Sequence, residues 1–171
     1  MTSGGAGALG LAGVSFRYDV RPGDAETVRG IVEATAYFTP AEIPVAVELV
    51  QENLAKGAAA SGYYFVFAER GGRTIGYVCY GPTPCTVSSF NLYWIAVHPE
   101  LQGKGLGKAL MRETEAKVAA MGGTRLYIDT SYKAQYEDTR AFYESLGYSL
   151  GALLPDYYAP GDDKVIYVKV L

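Results

Sequence analysis

VHPELQGKGLGKAL, residues 97–110, sets three glycines and two lysines between positions 103 and 108, directly behind an apolar run. Glycine admits left-handed turns and lets a bulky group approach the backbone closely. The leucines that follow carry a helical period, so the stretch reads as a turn that opens a helix. The exposed N–H groups and positive end of such a helix favour an anion, and Lys104 and Lys108 add charge. Two familiar phosphate motifs fail here. A Walker loop would need glycine where Gln102 stands and a hydroxyl where Ala109 stands, and the dinucleotide fingerprint would need glycine at Lys108. Spacing alone leaves both an anion cradle and a plain glycine-rich turn open.

Working outward, VSSFNLYWIAV before the stretch is β-branched and aromatic, as suits a central strand. After it, Leu106, Leu110, Val118 and Met121 fall on one side of a helix that leaves Glu113, Glu115 and Lys117 to solvent. Gly122-Gly123 closes that helix, and TRLYIDT is the next strand. A strand, a crossover helix and a strand imply local parallel pairing. Upstream, VSFRYDV reads as a first strand, and Asp24 as the cap of a helix carrying Val28, Ile31 and Val32. Thr39-Pro40 starts a second helix with Pro44 in its first turn. YYFVFAER and RTIGYVCYG flank Gly71-Gly72 as a hairpin. Downstream come a helix over about Lys133 to Leu146, then strands YSLGALL and KVIYVKVL separated by a loop, PDYYAPGDD. The order is β-α-α-β-β-β-α-β-α-β-β: a mixed α/β domain over 14–171, without internal repeats.

Composition narrows the function classes. The chain has 171 residues, 49% hydrophobic, a net charge of -3 and a pI near 5.2. One domain fits that length, and a nucleic-acid-coating surface does not fit that charge. Cys79 and Cys85 are the only cysteines; they have no metal-ligand spacing and suit a reducing compartment. No metal is expected. No apolar stretch is long enough to span a membrane. Residues 1–13 are expected to be a flexible leader without function, and the protein to be cytoplasmic.

QGKGLG behind YWIAVHPE, followed in order by TRAFYESLGY, resembles the two hallmark motifs of the GNAT superfamily of acyl-CoA N-acyltransferases. The likeness extends over about 16–171. It implies a mostly antiparallel central sheet with splayed central parallel strands, flanked by about four helices, and acetyl-CoA as acyl donor. On this resemblance the backbone of Ile95, Ala96 and Val97 pairs with the pantetheine arm as an added strand. Gln102, Gly103, Lys104, Gly105, Leu106, Gly107 and Lys108 hold the pyrophosphate. Tyr136 stands where relatives often carry an asparagine, which puts an amide contact to pantetheine in doubt and leaves a stacking or phenolic contact.

Direct acyl transfer needs a neutral amine, a polarised thioester and a proton for the departing thiolate. Tyr143 matches the family's tyrosine near the sulfur; a phenol near pKa 10 can protonate a thiolate near 8.5 when aligned. Asp129 stands where some members carry a glutamate, and would accept the amine's proton directly or through water. His98, the only histidine, shapes a turn in many relatives and is not expected to be catalytic. The first helices and last hairpin, which usually recognise the acceptor, supply Tyr37, Phe38, Glu42 and Glu48, then Asp156, Tyr157 and Tyr158, a mix suited to an ammonium group. The expected activity is N-acetylation of a small amine or amino-acid-like acceptor. A peptide or protein N-terminus, or a silent acyl-CoA sensor, are the alternatives. The sequence is compatible with a monomer and with a homodimer.

Overall fold

The computed structural model describes residues 11–171. The first ten residues of the expected leader lie outside the described residues. Leu11–Gly13 form a turn closed by Val14 N–H donating to Leu11 O at 3.1 Å. Seven strands form one sheet: β1 (Val14–Arg17), β2 (Tyr64–Arg70), β3 (Arg73–Pro82), β4 (Ser89–Val97), β5 (Arg125–Ser131), β6 (Ser149–Ala159) and β7 (Asp162–Val170). Their order is β1-β2-β3-β4-β5-β7-β6. The β1/β2, β2/β3, β5/β7 and β6/β7 pairs are antiparallel. β4 and β5 are parallel, paired from Ser89↔Arg125 to Leu92↔Ile128, while β4 runs on to Val97 and β5 to Ser131. The expected mixed, mostly antiparallel sheet with a central parallel pair is thus present.

Internal contacts divide the described chain into two units. The first holds residues up to Gly81 together with Trp94–Thr114. In it the hairpin turn is made by Gly71 (φ 58°) and Gly72 (φ 76°), the two positive φ values that a tight two-residue turn requires. Helix α1 (Asp24–Thr35) buries Val28, Ile31 and Val32, and α2 (Glu42–Lys56) buries Ala46, Val47 and Val50. Each such apolar side chain contributes about 1.5–3 kcal/mol of transfer free energy. Phe65, Phe67 and Tyr77 stack within the core at centroid distances of 5.5, 6.3 and 6.5 Å.

Asp24 does not cap α1. It is the helix's first residue, and its buried carboxylate accepts from Arg17 Nη1 (2.8 Å), Arg17 Nη2 (2.9 Å) and the Arg21 N–H (2.6 Å). Pro44 does fall in the first turn of α2, where its missing N–H costs nothing. A further short helix, α3 (Ala58–Ser61), follows Gly57 and has no sequence signal of its own.

The second unit holds Pro82–Tyr93 and Glu115–Leu171. Helix α4 (Leu106–Ala120) contributes its C-terminal part here and ends at Gly122 (φ 83°). A Cβ on Gly123 would lie 2.3 Å from Val118 Cγ1 and 2.7 Å from Phe90 Cδ2, so the helix and β4 approach too closely for any other residue. Val118 is buried, but Met121 is 40% exposed, because the chain has left the helix by then. Glu115 is not a free surface acid: it accepts from Tyr148 Oη (3.0 Å) and Lys169 Nζ (2.8 Å). Helix α5 (Glu137–Ser145) begins later than expected, after a 3-10 turn at Ala134–Tyr136. PDYYAPGDD is mostly strand rather than loop: β6 continues through Pro155 to Ala159 and β7 starts at Asp162, leaving a turn at Pro160-Gly161. Proline is tolerated there because β6 is the sheet's edge. Among the described residues there are five α-helices, where about four were expected.

Candidate active site

The sequence-predicted residues fall into both units. In the first, β4 carries Trp94, Ile95, Ala96 and Val97 toward a 3-10 turn at Pro99–Leu101. A Cβ on Gly76 would meet Ala96 O at 3.1 Å and Leu110 Cδ1 at 3.2 Å, so that glycine lets β3 lie close under the strand–helix junction. Buried Leu101, Leu106 and Leu110 pin the junction from inside. Between them Gln102, Gly103, Lys104 and Gly105 are exposed. Gly103 (φ 71°) and Gly105 (φ 85°) adopt left-handed conformations, with open space beyond each Cα. Ala109 N–H donates to Gly105 O at 3.1 Å, but the N–H groups of Gly103, Lys104, Gly105, Leu106, Gly107 and Lys108 reach no carbonyl at hydrogen-bonding geometry. They form a run of donors at a helix start, the arrangement that holds anions.

The side chains beside this run are partly committed. Gln102 Nε2 donates to Val97 O at 3.2 Å and Lys104 Nζ to Glu100 O at 2.7 Å, so both brace the turn. Lys108 is exposed. His98 N–H donates to Ile75 O at 2.9 Å, and its ring lies 3.8 Å from Glu100, consistent with a turn-shaping residue. Tyr37 and Phe38 meet edge to face at 5.9 Å, and Phe38 lies 5.0 Å from Trp94. The Trp94 Nε1 donor is buried with no partner. Glu42 is occupied locally, accepting from Thr39 N–H (2.7 Å) and Thr39 Oγ1 (2.9 Å), and Glu48 is an exposed residue of α2.

In the second unit Tyr143 sits on α5, 4% exposed, among Phe142, Tyr148 and Tyr167 at 5.4, 6.0 and 6.3 Å. Tyr167 Oη donates to Glu144 at 2.7 Å; burial, reinforced by that carboxylate, pushes its phenol up to about 12. Burial and then Glu115 push the Tyr148 phenol far up as well. Tyr136 is the residue from which α5 starts.

Asp129 is the first residue of β5 beyond its register with β4. Its carboxylate, 45% exposed, is paired with Lys164 Nζ, a residue that sequence reasoning missed. β7 places Lys164 opposite Ser131 and Ile166 opposite Asp129, so Lys164 and Asp129 share one sheet face diagonally. Nothing in the sequence fixes that register. Burial alone would lower the Lys164 ammonium, yet the hydrogen bond and charge of Asp129 hold it above its ordinary value. The same ammonium lies 4.4 Å from the centroid of the Tyr157 ring, and Tyr157 meets Tyr158 at 5.1 Å. Asp156 (φ 51°) turns inward on the hairpin: its N–H donates to Asp163 at 2.8 Å and its carboxylate accepts from Gly161 N–H at 2.6 Å. No group of three or more His, Cys, Asp or Glu residues is placed to hold a metal among the described residues.

The model of the acetyltransferase (GNAT) domain family matches residues 61–150. A GNAT-family structure from Desulfovibrio desulfuricans is 50% identical, covers 92% of this chain and 98% of its own, and superposes with a TM-score of 0.90. An uncharacterized N-acetyltransferase of Methanocaldococcus jannaschii is 30% identical over 105 residues, 61% of this chain and 65% of that protein's length. An aminoglycoside 6′-N-acetyltransferase complexed with coenzyme A shares the fold, at 18% identity over 92% of this chain and 96% of that one, with a TM-score of 0.72. The chain belongs to the GNAT family of acetyltransferases.

Proposed function

We propose that this protein transfers an acetyl group from acetyl-CoA to the primary amine of a small or amino-acid-like acceptor, directly, with both substrates bound. The observation that carries the proposal is the run of undonated N–H groups from Gly103 to Lys108. Residues present fit a pyrophosphate: Gly103, Lys104 and Gly105 are exposed, Gly103 and Gly105 leave room, and exposed Lys108 stands at the edge. Backbone groups of Ile95, Ala96 and Val97 serve the pantetheine arm, beyond the point where the β4–β5 register stops. Tyr136, from which α5 starts, is proposed as a further contact of pantetheine.

Acetyl-CoA, when bound, supplies an activated acyl carbon and a thiolate leaving group. The amine nitrogen forms a bond to that carbon, the C–S bond breaks, and one proton passes from nitrogen toward sulfur. Tyr143 donates its phenolic proton to the sulfur, and the amine's proton restores the balance through Asp129 or water. Acceptor contact is proposed for Tyr37, Phe38 and Glu42 in the first unit, and for Asp156, Tyr157 and Tyr158 in the second. The described helices include none long and apolar enough to cross a membrane.

The test is a panel of amines and peptides followed by free-thiol release, with coenzyme A binding measured by calorimetry. Saturable turnover of small amines supports the proposal. Turnover confined to peptides makes the protein an N-terminal acetyltransferase, and coenzyme A binding with no turnover makes it a sensor. Tyr143→Phe is expected to lower kcat about 10²–10⁴-fold with coenzyme A affinity kept; undiminished turnover would remove Tyr143 from the mechanism.

A further inference from the structure

Resting on the acetyl-transfer reading above, we infer that the acceptor carries a carboxylate beside its reacting amine and that Lys164 recognises that carboxylate. Charges nearby are mostly consumed within the protein. Asp162 accepts from Ser131 Oγ at 2.5 Å and from Lys133 at 2.9 Å, and Asp163 accepts from the Asp156 N–H. The pair of Lys164 and Asp129 differs. An ammonium has three donors, and that of Lys164 meets one carboxylate and one ring face, leaving a direction unclaimed. Asp129 has two oxygens and about four acceptor sites, and its side chain is 45% exposed.

A cation and an anion side by side, the Asp129 side chain 45% exposed and that of Lys164 13%, match a zwitterion. The acceptor's amine meets Asp129 and its carboxylate meets Lys164, while exposed Tyr157 and Tyr158 form a wall for the rest of the molecule. An acceptor with a second ammonium in that place would face Lys164 as a like charge. A peptide amine carries a neutral amide there and gains nothing from the lysine charge. Lys164 is a cation at neutral pH, held so by its neighbour Asp129.

Matched acceptors test this: L-amino acids, their amides and the corresponding decarboxylated amines, each scored by kcat/KM from thiol release. The wild type should prefer acid over amide by about 10–100-fold, the range of a charge-assisted hydrogen bond. In Lys164→Met that ratio should fall to near one, whatever the absolute rate, and Lys164→Arg should keep it. Thermal melting and coenzyme A calorimetry check that each variant is folded and loaded. A wild-type ratio near one, or a ratio that survives Lys164→Met, overturns the assignment of Lys164 and leaves acetyl transfer standing. Absence of coenzyme A binding, or of turnover across the whole panel, overturns both.

Discussion

Arg17 is 7% exposed and ties the start of α1 to β2. Asp24 binds two of its nitrogens, Glu69 takes Nε at 2.7 Å, and its guanidinium stacks 4.3 Å from the Phe67 ring centroid. Removing Asp24 would leave the buried guanidinium with Glu69 as its one carboxylate partner; breaking a buried pair costs up to about 3–5 kcal/mol. Asp24→Asn should therefore lower the urea midpoint sharply, while Asp19→Asn, which removes an exposed partner of Arg21, should leave the midpoint nearly unchanged. Equal midpoints for the two variants would show that Arg17 is satisfied without Asp24. At this scale the sequence is ambiguous for a physical reason. An aspartate ahead of an amphipathic run looks the same whether it caps the helix or grips an arginine seven residues earlier. The catalytic candidates share the difficulty: the motif singles out Tyr143, whereas Lys164 became visible only through the β5–β7 register.

Elements were more legible than residues. Gly71-Gly72, the long strand at 89–97 and the glycine turn all declare themselves, since each needs a rare backbone or an uninterrupted apolar run. β6 declared only its first half, YSLGALL; its continuation to Ala159 did not show, because exposed Tyr157 and Tyr158 have no buried face to alternate against. At the turn into α4, Gly105 tests shape and charge separately. Its φ of 85° makes Gly105→Ala cost about 1–2 kcal/mol of strain in a loop with space for the methyl group. Gly105→Glu adds an anion in the same place. Calorimetry should show coenzyme A binding weakened in Gly105→Ala and abolished in Gly105→Glu; binding that survives in Gly105→Glu means the pyrophosphate lies elsewhere.

For the whole molecule, tyrosine is the titrating residue that counts at high pH. Burial, followed by Tyr64, holds the Tyr80 phenol up at about 12, as burial and Glu144 do for Tyr167. In the unfolded chain these phenols ionise near 10, so between about 10 and 12 the unfolded state binds fewer protons than the folded one and stability falls as pH rises. Their contribution is fully present below about 10. Guanidinium unfolding followed from pH 8 to 12 should show that loss, and Tyr167→Phe should flatten it; a profile level through 12 contradicts the folded-state values. The mixed α/β class and the order of strands were readable end to end, because periodicity and turn residues are local. The partition into two units was not, since its boundaries cut through β4 and α4.

The donors at the turn into α4 belong to the main chain, and every residue type but proline owns such a donor. Mutational drift at Gln102, Lys104 or Lys108 can therefore proceed with the cradle intact, provided the glycines at 103 and 105 keep their φ. Lineages descended from this chain would retain a fixed spacing of glycines around freely varying letters.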